Sequence, residues 1–451
     1  MIPFLQKYLT INTSQPNPDY TAVCALFRAQ AESDGFLYNE ILLPSGKPVI
    51  VITYQGTEPS LPSLILNHHM DVVPALNSEK WTLPPFAGAI DNEIIIGRGV
   101  QDMKGVGVAH YCALQELRNA GVQFARTVHI VAVPDEEIGG FTGTKQFIET
   151  DFFKAMNCGF VIDEGIPSGD TTTLALKVTE RKPLQIQITV TGSLAHGSQL
   201  NCFNAIHELV TILNKVTTHH QAQQQKSITQ ADGLLLSMNI TSLTAGMHSD
   251  NKICLNMVPD YASATVDIRV PPTMLMHEAV TMIEDILQHH TNSSYTVHAI
   301  VSEQNDSSRA RPEQFYPHLQ FLTMGSPVWS ETKTGAKGFS SSALILQQVQ
   351  DERKKTDKIR EEFYKTFLYN SIENAIKQYG LQSQPLFFEG SSDLRYYKAL
   401  NIDGVGFTPF TVANAIHCTN ESLPIADLIQ GKNIMVHFLK NFCITKENTN
   451  G

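Results

Sequence analysis

The chain has 451 residues, of which 42% are hydrophobic and 17% charged, a composition that describes a globular protein too long for one ordinary core. Its net charge of -11 argues against a nucleic-acid or anionic-membrane surface, and no run of 18 apolar residues is present to span a bilayer. The charge does not argue for a cationic substrate, because carboxylates that bind metal leave that count.

The opening stretch, MIPFLQKYLTINTSQPNPDY, has no basic leader followed by a long apolar run, so no secretory signal is expected. Seven cysteines lie scattered from Cys24 to Cys443 without a CxxC pair, which predicts reduced thiols and a cytoplasmic protein. Cys418 reads as a small packing residue rather than a nucleophile.

In chain order, SLILNHHMDVV predicts a strand. KGVGVAHYCALQELRNAG predicts a helix with Val106, Ala109, Ala113 and Leu117 on one face and Gly121 as its stop. TVHIVAVPDEEIGG and CGFVIDEGIP each predict a strand running into a loop. This alternation predicts an α/β domain with a mostly parallel sheet flanked by helices, whose site lies beyond the carboxyl ends of the strands.

From about residue 181 the order becomes βαββαβ: KPLQIQITVTG, NAIHELVTILNKV, LLLSMNITSL, YASATVDIRV, MLMHEAVTMIEDILQHH and SYTVHAIV. That order predicts a ferredoxin-like α+β module inserted into the first domain. The expected division is 1–180 and 303–451 for the catalytic domain and 181–302 for the insert. Residues 303–355 read as a long irregular connection. EEFYKTFLYNSIENAIKQYG then predicts a helix with Phe363, Phe367, Ile372 and Ile376 on its apolar side.

The polar clusters carry the chemistry. Strand alternation puts His69 and Asp71 on one face and His68 on the other. A metal-bound histidine commonly passes its second ring N–H to a carboxylate, and His-x-Asp supplies one, so His69 is the ligand candidate and His68 a packing residue. Polar residues at a strand end would produce the same pair. Asp102, between a Gly-rich turn and a helix start, serves equally as an N-cap when taken alone. Glu136 and Glu137 adjoin in PDEEIGG, and two neighbouring carboxylates repel unless a cation or proton is shared. Glu164 follows in VIDEG, and His417 comes far downstream after an apolar strand. Together these supply two histidines, two glutamates and a bridging aspartate, a donor set suited to two divalent ions.

The stretches LNHHMDVVP, GRGVQDMKG, VPDEEIGG, VIDEG and TGSLAHGS, in this order, closely resemble the motifs of the zinc-dependent aminoacylase and carboxypeptidase-like amidohydrolases, above all the aminoacylase branch. The resemblance implies two Zn2+ per subunit, with Co2+ or Mn2+ as substitutes. It implies that His69, Asp102 and Glu164 hold one ion and Asp102, Glu137 and His417 the other. Asp71 is then the residue that steadies His69, Glu136 the general base, and Asp102–Met103 a cis peptide. The inserted module becomes a lid and dimerisation domain: His196 serves the oxyanion in a homodimer partner's site, and Asn256 and Arg269 bind substrate. An arginine fork suits a planar carboxylate. Asp393 and Arg395, in GSSDLRYYKAL, fall on the substrate side. The loop before Asn256 and the 303–355 connection are longer than the family pattern. The implied reaction is hydrolysis of an N-acyl-L-amino acid to a carboxylate and an amino acid, with no nucleic-acid or membrane partner. The alternatives are a dipeptidase or carboxypeptidase of the same superfamily and a catalytically silent binding relative.

Overall fold

A computed structural model of the chain describes residues 1–246, 248–249, 252–287, 295–300 and 366–444. They belong to two compact units. The first takes in Met1–Thr179 and the described residues of Lys358–Leu386 and Ser392–Gly451; the second takes in the described residues of Glu180–Asp357, together with Phe387–Ser391.

The first unit is built on an eight-stranded sheet. Its strand order is Leu37–Leu42, Pro48–Tyr54, Val128–Val133, Ser63–His69, Cys158–Asp163, Asp403–Phe407, Thr173–Glu180 and Gln382–Phe388. The four strands from Val128–Val133 to Asp403–Phe407 run parallel, and antiparallel pairs flank them. Every residue of the Ser63–His69 and Val128–Val133 strands is buried, as expected where helices cover both faces of a parallel centre. One face packs Val49, Val51, Ile65, Val131 and Val161 against Phe147, Phe153 and Tyr397.

Local sequence explains how the helices meet this sheet. Asp19 caps the Tyr20–Asp34 helix by accepting from the Ala22 amide at 3.1 Å, and Gly35 ends it in the left-handed conformation at φ 71°. The Lys104–Asn119 helix begins KGVG, and both glycines are required by close approach. A Cβ on Gly105 would lie 2.1 Å from the Val100 carbonyl oxygen, and one on Gly107 2.4 Å from the His68 ring. The helix therefore sits tightly on the strand that ends at His69, with Asp102 just before its first turn. Leu117 and its neighbours on the sheet side are buried; Gly121 follows at φ 71°.

The second unit has a four-stranded antiparallel sheet in the order Ser237–Ala245, Tyr261–Val270, Lys182–Thr191 and Tyr295–Ile300. The helices Ala205–Ser227 and Met276–Leu287 complete a βαββαβ, ferredoxin-like order. Lys182–Thr191 and Tyr261–Val270 bury alternate residues, so that Leu184, Ile186, Ile188, Val266 and Ile268 meet Leu209, Ile212, Val216 and Ile283 in one core. Phe387–Ser391 falls in this unit rather than with the C-terminal part because Arg181 binds its main chain. The Arg181 amide donates to Phe388 O at 3.2 Å and Gly390 O at 3.1 Å, and Nε donates to Glu389 O at 2.6 Å.

The helix expected from EEFYKTFLYN spans Phe367–Lys377, with Ile372 and Ile376 buried; Phe363 and the 303–355 connection lie outside the described residues. No helix among the described residues is long and apolar enough to cross a membrane.

Candidate metal centre

Parallel register brings the acidic segments to one edge of the sheet. His69 ends its strand opposite Val133, and on its other side Leu66 pairs with Ile162. The loops carrying Glu136–Glu137 and Glu164 therefore leave beside it, at the carboxyl ends where such sheets place their sites. His69 Nε2 lies 2.9 Å from Asp102 Oδ1. His417 Nε2 lies 3.1 Å from Asp102 Oδ2 and 3.1 Å from Glu137 Oε2. Two triads result, His69–Asp102–Glu164 and Asp102–Glu137–His417, each offering ligand atoms within 4.8 Å of one another and sharing Asp102. The Asp102–Met103 peptide is cis.

Two expectations need correction. His69 Nδ1 donates to the main-chain carbonyl of Asp71 at 2.9 Å, whereas the nearer Asp71 carboxylate oxygen is 3.8 Å away. The strand ends at His69, so the turning backbone, not the i+2 side chain, meets the ring. The tautomer is fixed all the same, with Nε2 left for a ligand. The Asp71 carboxylate instead accepts the amides of Glu136 and Glu137 at 3.1 and 3.2 Å and Gln15 Nε2 at 2.9 Å. It holds the acidic loop. The second correction concerns His417, which does not follow directly on a strand. The preceding strand ends at Phe407, and His417 occupies a turn at φ 61° with its side chain half exposed.

The electrostatics describe a pocket short of positive charge. Burial first, and the charge of Glu164 second, push the Glu136 carboxyl well above its ordinary range. Burial and Asp102 do the same to Glu164. Hydrogen bonds to Asp102 and Glu137 raise His417 to about 10. Burial opposes charge on His69, yet the hydrogen bond and charge of Asp102 outweigh it and raise this imidazole too. Carboxylates that resist ionisation beside imidazoles that demand protons are what a buried N/O donor set shows when a cation completes it. The donors are of the type divalent zinc accepts, so these residues fit two such ions.

Several supporting residues had no sequence signal. Gln15 also donates to Asp135, which accepts Tyr20 Oη at 2.7 Å and pairs with Lys47. Asn67 donates to Asp163 at 2.8 Å, and fully buried Lys177 donates to Ser392 Oγ at 2.6 Å, which in turn reaches Asp163 at 3.3 Å. Glu421 accepts main-chain amides on both sides of Gln101. The amides that Glu421 accepts are the same at every residue, so nothing in the sequence marks them, and the side-chain pairs lie too far apart along the chain to show as a pattern.

Arg395, expected on the substrate side, donates to the main-chain carbonyls of Ser392 at 2.7 Å and Gly139 at 2.6 Å. Tyr396 Oη also reaches Gly139 O at 2.6 Å. These bonds make Arg395 a brace for the loop that carries Glu136. Asp393 is buried, accepts from Thr144 and is raised by burial to about 7. In the second unit, a short bridge pairs His196 with Met257, and the Gly197 amide donates to Asn256 O at 2.7 Å, so His196 and Asn256 are neighbours. His196 is exposed, with Nδ1 2.8 Å from Ser198 Oγ. Arg269 Nε donates to Asp267 at 2.9 Å and Nη1 to Ser391 Oγ at 3.4 Å.

Residues 65–441 match the model of peptidase family M20/M25/M40. The chain belongs to that family. Within it the chain is on the aminoacylase branch. It is 28% identical to aminoacylase-1A of Rattus norvegicus over 438 residues, 96% of this chain and 93% of that one. It is 36% identical to aminoacylase-1 of Sus scrofa over 274 residues, which cover 60% of this chain and 65% of the pig protein's length. Among solved structures of the M20 fold, a metallo-carboxypeptidase from Sulfolobus solfataricus superposes with a TM-score of 0.67 at 16% identity, covering 97% of this chain and 98% of that chain. Human carnosine dipeptidase 1 gives 0.61 at 13% identity, over 97% and 96% of the two chains. At such identities these structures speak for the fold alone.

Proposed function

We propose that the protein is a metal-dependent amide hydrolase that releases an L-amino acid from its N-acyl form, with two Zn2+ as resident ions and Co2+ or Mn2+ able to replace them. The reading rests on one observation: two ligand triads share Asp102, and Glu136, a carboxylate without a place in either, lies beside them. When bound, the ions supply the positive charge that makes water nucleophilic near neutral pH and polarises the amide carbonyl.

The chain's own groups do the rest. His69, Asp102 and Glu164 hold one ion, and Asp102, Glu137 and His417 the other. Asp71 fixes the Glu136 and Glu137 amides, which sets where the Glu136 carboxylate points. Glu136 takes a proton from the attacking water and returns it to the departing nitrogen, so water and amide become carboxylic acid and amine. In the second unit, Arg269 and Asn256 receive the substrate's α-carboxylate end, an arginine fork matching a planar carboxylate. His196 serves the oxyanion of a neighbouring subunit in a homodimer. All seven cysteines are free, which fits the reducing cytoplasm as the proposed location.

The test is an assay of zinc-loaded protein with N-acetyl amino acids beside dipeptides, before and after chelation. Hydrolysis of the N-acetyl substrates that disappears on chelation is the expected result. Cleavage of dipeptides alone would move the assignment to a peptidase, and zinc-loaded protein inert to both would remove it.

A further inference from the structure

One carboxylate outside both triads ties the segment of the exposed ligand, on which it lies, to the segment of the shared one. Glu421 is fully buried, and every bond it makes runs to residues 97–102. Oε1 accepts the amides of Gln101 at 2.7 Å and Asp102 at 3.2 Å. Oε2 accepts the Gly99 amide at 2.9 Å and Arg98 Nη1 at 2.7 Å. Its main-chain carbonyl accepts the Gly97 amide at 3.0 Å.

The same two segments are stitched at further points. Arg98, paired with Glu421, donates through Nη2 to the His417 carbonyl at 3.3 Å. Gln101 donates to Ala413 O at 3.2 Å and Ser422 O at 2.7 Å, and its Oε1 accepts the Ala415 amide at 2.9 Å. The backbone of Asp102 and the backbone of His417 are thus both referred to Glu421, one directly and one through Arg98. Neither residue gains its place from strand pairing: Asp102 precedes a helix and His417 sits in a turn.

The geometry points to Glu421 as a positioning residue for the metal centre, setting the 3.1 Å approach of His417 Nε2 to Asp102 Oδ2 that places both on one ion. The inference rests on the metal-dependent reading above. Each Glu421 oxygen faces two donors, so an amide in its place keeps the volume but turns an NH2 group toward a donor pair. The 97–102 turn must then shift, and Asp102 and His417 lose their common reference.

The experiment uses full-length protein stripped of metal and titrated with Zn2+ against a chromophoric chelator, with circular dichroism as the check on folding. Glu421→Gln should fold and bind at least one equivalent about 10–100-fold more weakly than the native protein, the range typical when a partner behind a ligand is lost. Turnover should recover substantially at saturating Zn2+, with KM unchanged, because Glu421 touches no substrate. A folded variant that binds both equivalents with native affinity would overturn the assignment. If Glu421→Gln fails to fold, Glu421→Asp, which keeps the charge but draws it back from the Gly99, Gln101 and Asp102 amides, should weaken the metal in the same direction; native affinity there also overturns it. Native protein that takes up no Zn2+ would sink the metal reading, and this inference with it, on a sample that carries no substitution.

Discussion

His69 ends a sheet strand and Glu164 follows directly on one; Glu137 and His417 sit farther out, in loops. Of the groups that share Asp102, the His69 side chain is 1% exposed and that of His417 50%. The donor chemistry is the same on both sides, but the support differs. On the sheet side, neighbouring parallel strands fix the backbone up to the ligand. On the loop side, Asp71, Arg98, Gln101 and Glu421 fix it through side-chain bonds to main chain. Strands give a ligand a rigid floor, whereas loops need a dedicated brace for each residue. Binding sites commonly combine the two in this way, with mobile elements drawn from the less stable part of the fold.

The largest effect should come from the group both sides surround. Glu136→Gln keeps the shape of the loop but cannot accept a proton, so turnover should fall about 10²–10⁴-fold with both metals retained. Rate and metal content measured on one sample decide it; near-native turnover would assign the proton to another group. Mixed with His196→Ala under conditions where mass measurement shows subunit exchange, this variant should yield hybrids with one active site, that of the subunit that keeps Glu136 and receives an intact His196 from its partner. Exchanged but silent hybrids would confine His196 to its own subunit.

The comparison itself is tested by truncating one histidine on each side. His69→Ala removes the buried one of the two imidazoles on Asp102, leaves a cavity beneath it, and should cost about 2 kcal/mol or more of stability, read from denaturant unfolding of metal-free protein. His417→Ala removes a half-exposed ring and should cost about 1 kcal/mol or less, while one Zn2+ equivalent is lost. Equal destabilisation by the two would erase the distinction between sheet-borne and loop-borne ligands.

A smaller effect reports on the floor alone. His110, beneath the strand next to His68, is fully buried, has no hydrogen-bond partner among the described residues, and burial lowers it to about 3. The unfolded chain binds a proton there below about pH 6.5, and the folded chain does not until about pH 3. Stability should therefore fall as pH drops through that window, by at most about 1.4 kcal/mol per pH unit from this residue. His110→Leu should flatten the acid limb of the unfolding profile. An unchanged slope would show that His110 charges within the fold.

The sheet side was legible in the sequence because it obeys short rules. Period-two alternation separates His69 from His68, strand-to-loop breaks mark the positions of Glu136 and Glu164, and βαβ order aligns them. The loop side was legible only as residue types. Nothing in TNESL distinguishes Glu421 from a solvated loop acid, because its partners are amides some 320 positions earlier. The same blindness hid the bonds of Arg395 to the Ser392 and Gly139 carbonyls, which the residue type alone does not announce. It also gave the Asp71 side chain a contact that its own carbonyl makes.

The stitch between Gln101 and Ala415 joins residues 314 positions apart. At about 5–20 residues per second of synthesis, the ribosome makes the first roughly 16–63 seconds before the second. Through that interval the nascent chain can already form the three parallel strands that end near His69, Glu136 and Glu164. Those strands bring Glu136, Glu137 and Glu164 to the edge where His69 ends before His417 or Glu421 is made. The charge imbalance that favours a cation in the finished protein therefore exists first as a hazard of biogenesis. A cell short of metal, or a chain stalled before residue 417, leaves those acids to be neutralised by protons alone.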